Sequence, residues 1–236
     1  MDLIETLRTT GAARDFSDEP VNDEAVHRLL DTARFAPNGG NRQAWKVIVV
    51  RDPSVRARLR DLYLAGWYEY LAQAAAGLCP WAPITDEEAE TKAIAQAGEF
   101  AAAAAAGPGG FAEHFDQVPL LLVLLADLRR LAAVDRGFDR YTLVGGASVY
   151  PFAWSVLLAA RAEGLAGVMT TMATRHEPEV RDVLGVPEEF AVAGILAVGH
   201  PTRVPSRLKR LEVESFTTVD HFDGPVLQSG DGKVAG

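Results

Sequence analysis

The spacing of apolar residues divides the chain into helical and extended stretches that follow one another without a fixed rhythm. Between residues 22 and 36, Val26, Leu29, Leu30 and Ala33 recur at three- and four-residue intervals, which predicts a helix with one buried stripe. Asn22 suits its N-cap, Asp23 and Glu24 favour its first turn, and Pro37 stops it. A shorter helix is predicted over 2–9. Residues 45–50, WKVIVV, are rich in β-branched and aromatic side chains and read as a strand. Asp52-Pro53 then turns the chain into a helix over about 53–65, with Val55, Leu59 and Leu62 on one face.

Further along, PLLLVLLAD (119–127) is almost continuously apolar, the pattern of a central, buried strand. Residues 145–164 are small and apolar on most of a helical circumference. Such a helix is buried on all sides, either within one chain or between two. Pro151 either kinks it or marks its true first turn, and Gly164 is placed to end it. Strands are predicted over 165–172 and 189–200, with a short helix over 177–186. Residues 66–117 carry the weakest pattern: GWYEYL, then CPWAP, an acidic helix start at 86, and an alanine run that Gly107-Pro108-Gly109-Gly110 breaks. The mixture is that of an α+β domain, one mostly antiparallel sheet with helices packed on it. A single domain is expected over 1–222, with a flexible polar tail over 223–236.

Composition narrows the function. With 236 residues the chain can bury a sizeable core. Its net charge of −9 argues against nucleic acid or an anionic membrane as partner. Cys79 is the only cysteine, so an intramolecular disulfide and a thiolate zinc cluster are both excluded. No secretory signal is read at the N-terminus, and the longest aliphatic run is too short to span a bilayer; a cytoplasmic protein is expected. The five histidines are scattered without metal-ligand spacing, so no metal is expected. Neither a glycine-rich nucleotide motif nor a G-x-S-x-G nucleophile motif is present. Any difficult chemistry therefore needs a borrowed cofactor.

One loop stands out. In APNGGNRQAW (36–45), Gly39 and Gly40 remove Cβ atoms and permit positive φ, so backbone N–H groups can approach a flat ligand. The alternative is a plain connector made of turn formers. The flanking string, ARDFSDEPVNDEAVHRLLDTARFAPNGGNRQAW, resembles the flavin-dependent nitroreductase family. The matching residues are Arg14, Phe16, Asp18-Glu19-Pro20-Val21, Ala36-Pro37 and the loop running to Trp45. Two weaker pieces follow in the family's order: the small-residue helix running into GLAGVMTTM, and AVGHPTRVPSRLKRLEVESF. The resemblance covers roughly 6–65 and 118–216. The chain departs from the family at 10–13, where Thr-Gly-Ala-Ala replaces basic residues and a serine and leaves Arg14 as the remaining cation of the motif.

The resemblance implies an α+β homodimer with FMN at the subunit interface, reduced by NADH or NADPH. The acceptor is then a small nitroaromatic, quinone or similar molecule, served by a two-step mechanism. No side chain is implied as acid or base. Implied cofactor contacts are Arg14 at the flavin's pyrimidine edge, and Pro37, Asn38, Gly39, Gly40, Asn41 and Gln43 along its polar edge and ribityl chain. The backbone of Met169, Thr170 and Thr171 is implied against flavin N5 and O4, with Lys209 and Arg210 at the phosphate. Trp67, Tyr68, Tyr70 and Trp81 either stack on an aromatic substrate or pack the core. Other chemistry belongs to the same resemblance: flavin destruction, reductive dehalogenation, or flavin binding and storage without catalysis.

Overall fold

The computed structural model describes residues 2–203 and 208–228. The chain forms two compact units, Met1–Pro205 and Ser206–Gly236. The first contains a four-stranded sheet of β1 (Trp45–Val50), β2 (Leu120–Asp127), β3 (Ala166–Thr170) and β4 (Phe190–Gly199). The strand order is β1-β2-β4-β3, and each neighbouring pair is antiparallel. All eight residues of β2 are buried, which is why its sequence shows no polar alternation. Leu120, Leu122 and Leu124 face one side of the sheet; Leu121, Val123 and Leu125 face the other. Each such leucine contributes roughly 2 kcal/mol of burial.

On the first face lie α2 (Asp23–Ala33) and α6 (Tyr150–Ala162), with Val26, Leu29, Ala33, Phe152, Val156 and Ala160 in the shared core. The shorter α1 (Leu3–Thr9) packs on α6. On the second face, α3 (Pro53–Ala75) and α7 (Glu177–Leu184) bring Leu59, Tyr63 and Val180 against Phe115 and Ile195. Between β2 and β4 the register shifts: Leu124 pairs with Gly194 and Leu125 with Val192, leaving Ala193 as the extra residue of a bulge. The Tyr150 hydroxyl donates to the Ala193 carbonyl at 3.2 Å.

The antiparallel α+β architecture agrees with the sequence. Asn22 caps α2 by accepting from the Ala25 N–H, and Asp52 caps α3 from outside Pro53. Two elements differ. The third helix runs on to Ala75 instead of stopping near 65: α4 (Glu87–Ile94) and α5 (Ala97–Ala105) pack on it, and beyond residue 65 Gly66 lies against the Met172 carbonyl and Glu69 pairs with Arg175. The 145–164 stretch is not one helix. Val144–Ser148 is a 3-10 turn, and α6 starts at Tyr150 with Pro151 in its first turn. Nor is α6 buried all round within the chain: Tyr150 and Trp154 are each 41% exposed. Its exposed side continues into an apolar cleft of about 450 Å³ lined by Leu3, Phe35, Leu158 and Ala162. Gly164, at φ +79°, ends the helix as expected.

In the second unit, Val213–Ser215 makes one 3-10 turn and Thr218 pairs with Val226 as an isolated bridge. Of the expected polar tail, 229–236 lie outside the described residues.

Candidate functional site

The 36–43 loop is shaped by its own side chains. Asn38 donates from Nδ2 to the Ala36 carbonyl at 3.2 Å and accepts the Gln43 N–H on Oδ1 at 2.8 Å. Its amide therefore staples the loop. Gly40, Asn41 and Gln43 have φ of +61°, +51° and +50°. Such a backbone costs a non-glycine residue of order 1–2 kcal/mol, so Asn41 and Gln43 hold strain that the surroundings must maintain. One support is the Gly39 N–H, which donates to Ser148 Oγ at 3.1 Å. A Cβ on Gly39 would stand 2.9 Å from Ala132 Cβ and 3.1 Å from Ser148 Oγ, so packing requires glycine there. Pro37 and Gly40 to Gln43 are exposed. A groove of about 390 Å³, lined by Pro37, Asn38, Gly39, Val144 and Ser148, runs beside the loop.

The second set of expected residues lies along β3. The Ala13 N–H donates to the Gly167 carbonyl at 3.0 Å and lays the N-terminal segment beside this edge strand. Ser17 N–H to His200 O and Thr202 N–H to Asp15 O fasten the segment further on. A Cβ on Gly167 would come within 2.5 Å of the Ala197 carbonyl, which accounts for the glycine in GLAG. Arg14 is exposed, Met169 is half-buried toward the α6 side, Thr170 is buried, and Thr171 is exposed where the strand ends.

Tyr63 is a member of this set that the sequence did not single out. It is 3% exposed and stacks on Phe115 with ring centroids 4.4 Å apart. Burial pushes its phenol above the ordinary tyrosine range, while the Thr170 side chain and the Arg14 charge act in the opposite direction. Only the helical stripe Val55-Leu59-Leu62 pointed toward Tyr63, and that stripe marks core. Beside Arg14 a cleft of about 310 Å³ is also lined by Gly109, Gly110, Phe111 and His114. Glu113 ties that wall to α3 by accepting from Gly110 N–H at 2.7 Å and from the Tyr68 hydroxyl at 3.1 Å. Trp67 stacks on Tyr70 at 5.3 Å, and Tyr70 meets Trp81 at 6.2 Å, so three of the four aromatics singled out pack on one another.

The two sets do not converge within one copy. The loop leads into β1 and Arg14 sits beside β3, and these are the two outer strands of the sheet. Three strand spacings put those strands about 14 Å apart. Lys209 and Arg210 belong to the second unit; both are exposed, and the Arg210 guanidinium donates to the Lys209 carbonyl at 2.7 Å. Among the described residues, no helix is long and apolar enough to cross a membrane.

The architecture matches that of the NADPH:FMN oxidoreductase from Vibrio harveyi complexed with NAD+, with a TM-score of 0.63 and 21% identity over 93% of this chain and 77% of that one. At that identity the likeness establishes the fold. The model of the nitroreductase family matches residues 7–200, and the chain belongs to that family of oxidoreductases. It is 28% identical to the 5,6-dimethylbenzimidazole synthase of Rhodobacter capsulatus, over 84% of this chain and 83% of that protein. It is 23% identical to iodotyrosine deiodinase 1 of Rattus norvegicus over 86% of this chain, and spans 63% of that protein's length, less than two thirds.

Proposed function

We propose that the protein is an FMN-dependent oxidoreductase that takes reducing equivalents from NADH or NADPH and delivers them to a nitroaromatic, quinone or similar small acceptor. The observation that carries this is the 37–43 loop. Gly40, Asn41 and Gln43, two of them not glycine, have positive φ, Ser148 holds the adjoining Gly39 N–H, and Gly40 to Gln43 are all exposed. Strain of that kind is kept where a ligand needs it. The residues present suit a flavin. Pro37 to Gln43 offer a small-residue surface with exposed amides at Asn41 and Gln43, and Asn38 and Gly39 shape it. Arg14 supplies a permanent cation for a reduced, anionic ring. The Met169–Thr171 backbone forms the neighbouring edge. FMN, when bound, supplies the two-electron chemistry, and the protein's part is to bind, orient and tune it.

Because Arg14 and the loop lie at opposite edges of the sheet, one flavin that meets both takes Arg14 from one protomer and the loop from its partner. The exposed apolar surface of α1, Phe35 and α6 is of the kind that a homodimer covers. A second reading has its own support. The likeness to a deiodinase and to a benzimidazole synthase favours reductive dehalogenation or flavin destruction on the same scaffold.

The experiment is stopped-flow mixing of the FMN-loaded protein with NADPH or NADH, then with a quinone, a nitroaromatic or a halophenol. Rapid bleaching and rapid recovery with the first two acceptors support the proposal. Recovery with the halophenol alone supports dehalogenation. Conversion of reduced FMN and oxygen to a benzimidazole supports flavin destruction. If the protein binds FMN and neither nicotinamide bleaches it, the proposal fails; if it also forms no benzimidazole from reduced FMN, it is a flavin carrier.

A further inference from the structure

The connection between β2 and α6, residues 128–148, carries no helix or strand before its closing 3-10 turn. It has little core of its own: Val134, Phe138, Tyr141 and Leu143 are 63–78% exposed. Its fixed point is Asp135, 1% exposed. Asp135 Oδ2 accepts from the Leu143 N–H at 2.9 Å, the Val144 N–H at 3.3 Å and Arg140 Nη1 at 2.9 Å. Oδ1 is equally buried and has no partner among the described residues. A buried carboxylate persists only where donors surround it. These donors lie five to nine residues downstream, so bonding to them folds the connection back on itself.

Both arms of that fold bear on Gly39. Downstream, Val144 opens the 3-10 turn that ends at Ser148, whose Oγ accepts the Gly39 N–H. Upstream, Ala132 abuts Gly39 so closely that a Cβ there would stand 2.9 Å from Ala132 Cβ. Leu131 locks the arms together over Gly145, where a Cβ would stand 2.9 Å from Leu131 Cδ2. The Leu143 N–H, against the effect of burial, holds the Asp135 carboxyl below the usual carboxylate range, and Arg140 and the Val144 N–H act in the same direction. The group is therefore charged at neutral pH.

We infer that Asp135 is a positioning residue for flavin binding: it touches no ligand, and through the Val144–Ser148 turn it holds the Gly39 backbone in the shape the 37–43 loop needs. The inference rests on the flavin reading above. Its signature is a chain of two links, Asp135 to the turn and Ser148 to Gly39, that fail together. Two changes on one chain are not additive, whereas two independent losses of stability are.

The test compares the full-length protein with Asp135→Ala, Asp135→Asn, Ser148→Ala and the Asp135→Ala/Ser148→Ala double variant, with Arg28→Ala as a surface control. FMN affinity is read by fluorescence quenching, and amide hydrogen exchange of a peptide spanning 37–43 is read without flavin. Asp135→Ala should weaken FMN roughly tenfold to a hundredfold. Asp135→Asn keeps an acceptor for Leu143 and Val144 and should recover most of the loss. Ser148→Ala should weaken FMN about fivefold, and the double variant should be no weaker than Asp135→Ala. Exchange of the loop should rise in both single alanine variants and stay unchanged in Arg28→Ala. Wild-type FMN affinity in Asp135→Ala, or losses that multiply in the double variant, would overturn the inference. If Asp135→Ala does not fold, Arg140→Ala takes its place with an expected loss of about threefold, and unchanged affinity there overturns it equally. If the wild-type protein binds no FMN, the functional proposal falls, and the exchange measurement still decides whether Asp135 sets the loop.

Discussion

The 37–43 loop and the β3 edge are the two halves of the proposed site, and they are built in opposite ways. The loop is irregular and strained, stapled by its own Asn38 and braced from a distance by Ser148. The β3 edge is regular: the N-terminal segment is fastened beside it by backbone hydrogen bonds, and Tyr63 and Thr170 are both buried there. One half contributes shape, the other charge. Changes to the loop should thus act through geometry and depend on what braces it. Changes at β3 should act through the cation and leave the backbone unmoved.

The comparison breaks most completely if the halves are separated. Trp154→Glu places a charge on the exposed apolar side of α6 and should convert a dimer into monomers that release flavin altogether. Light scattering with absorbance detection checks this; a monomer that keeps its flavin would put both halves in one chain. Next in size is Gly39→Val. Its side chain meets Ala132 and Ser148 within about 3 Å, and overpacking of that kind costs about 1–3 kcal/mol of stability. FMN affinity should drop by more than the thermal shift accounts for, as calorimetry and titration together will show.

Arg14→Ala should weaken FMN by about 1.5–3 kcal/mol, the worth of a charge-assisted hydrogen bond, and lower the flavin's midpoint potential while leaving loop exchange unchanged. Arg34→Ala, which breaks an exposed ion pair with Asp31, should do neither. A potential that stays at the wild-type value would place Arg14 away from the ring. The smallest effect belongs to Tyr63→Phe, about 1 kcal/mol or less in stability at neutral pH. Its pH dependence is more telling. A phenol raised by burial stays neutral in the folded state while the unfolded chain begins to ionise near its ordinary pKa of about 10. Stability therefore falls as pH rises above that value toward the folded pKa. Tyr68 and Tyr150 are raised as well, so the variant should blunt the alkaline loss of melting temperature and not abolish it.

How much of this could be read in the sequence follows from where each constraint lies. The Asn22 cap, the α2 stripe and the unbroken apolar run of β2 are local patterns, and each became the element it predicts. The loop was legible because Gly40 and Asn41 satisfy a backbone demand at their own positions. The far end of α3 was not, because α4, α5 and the 172–176 turn cover it on several sides and leave it without a single apolar stripe. Gly66 is an example. It interrupts the helical pattern in the sequence, yet a Cβ there would stand 2.4 Å from the Met172 carbonyl. Asp135 resembles any surface acid until the donors at Arg140, Leu143 and Val144 fold around it. Asn38 was identified as a flavin contact, and its hydrogen bonds give it a second task inside the loop.

The claim that one flavin is gripped by Arg14 of one copy and the loop of the other can be tested by mixing two defective proteins. Arg14→Ala and Gly39→Val homodimers, each with weak FMN binding, are combined, allowed to exchange subunits and titrated with FMN. Half-sites from two copies predict that each mixed dimer gains one site of wild-type affinity, since the intact Arg14 of one chain then meets the intact loop of the other. Exchange that is complete by mass spectrometry and recovers no high-affinity site would contradict the account.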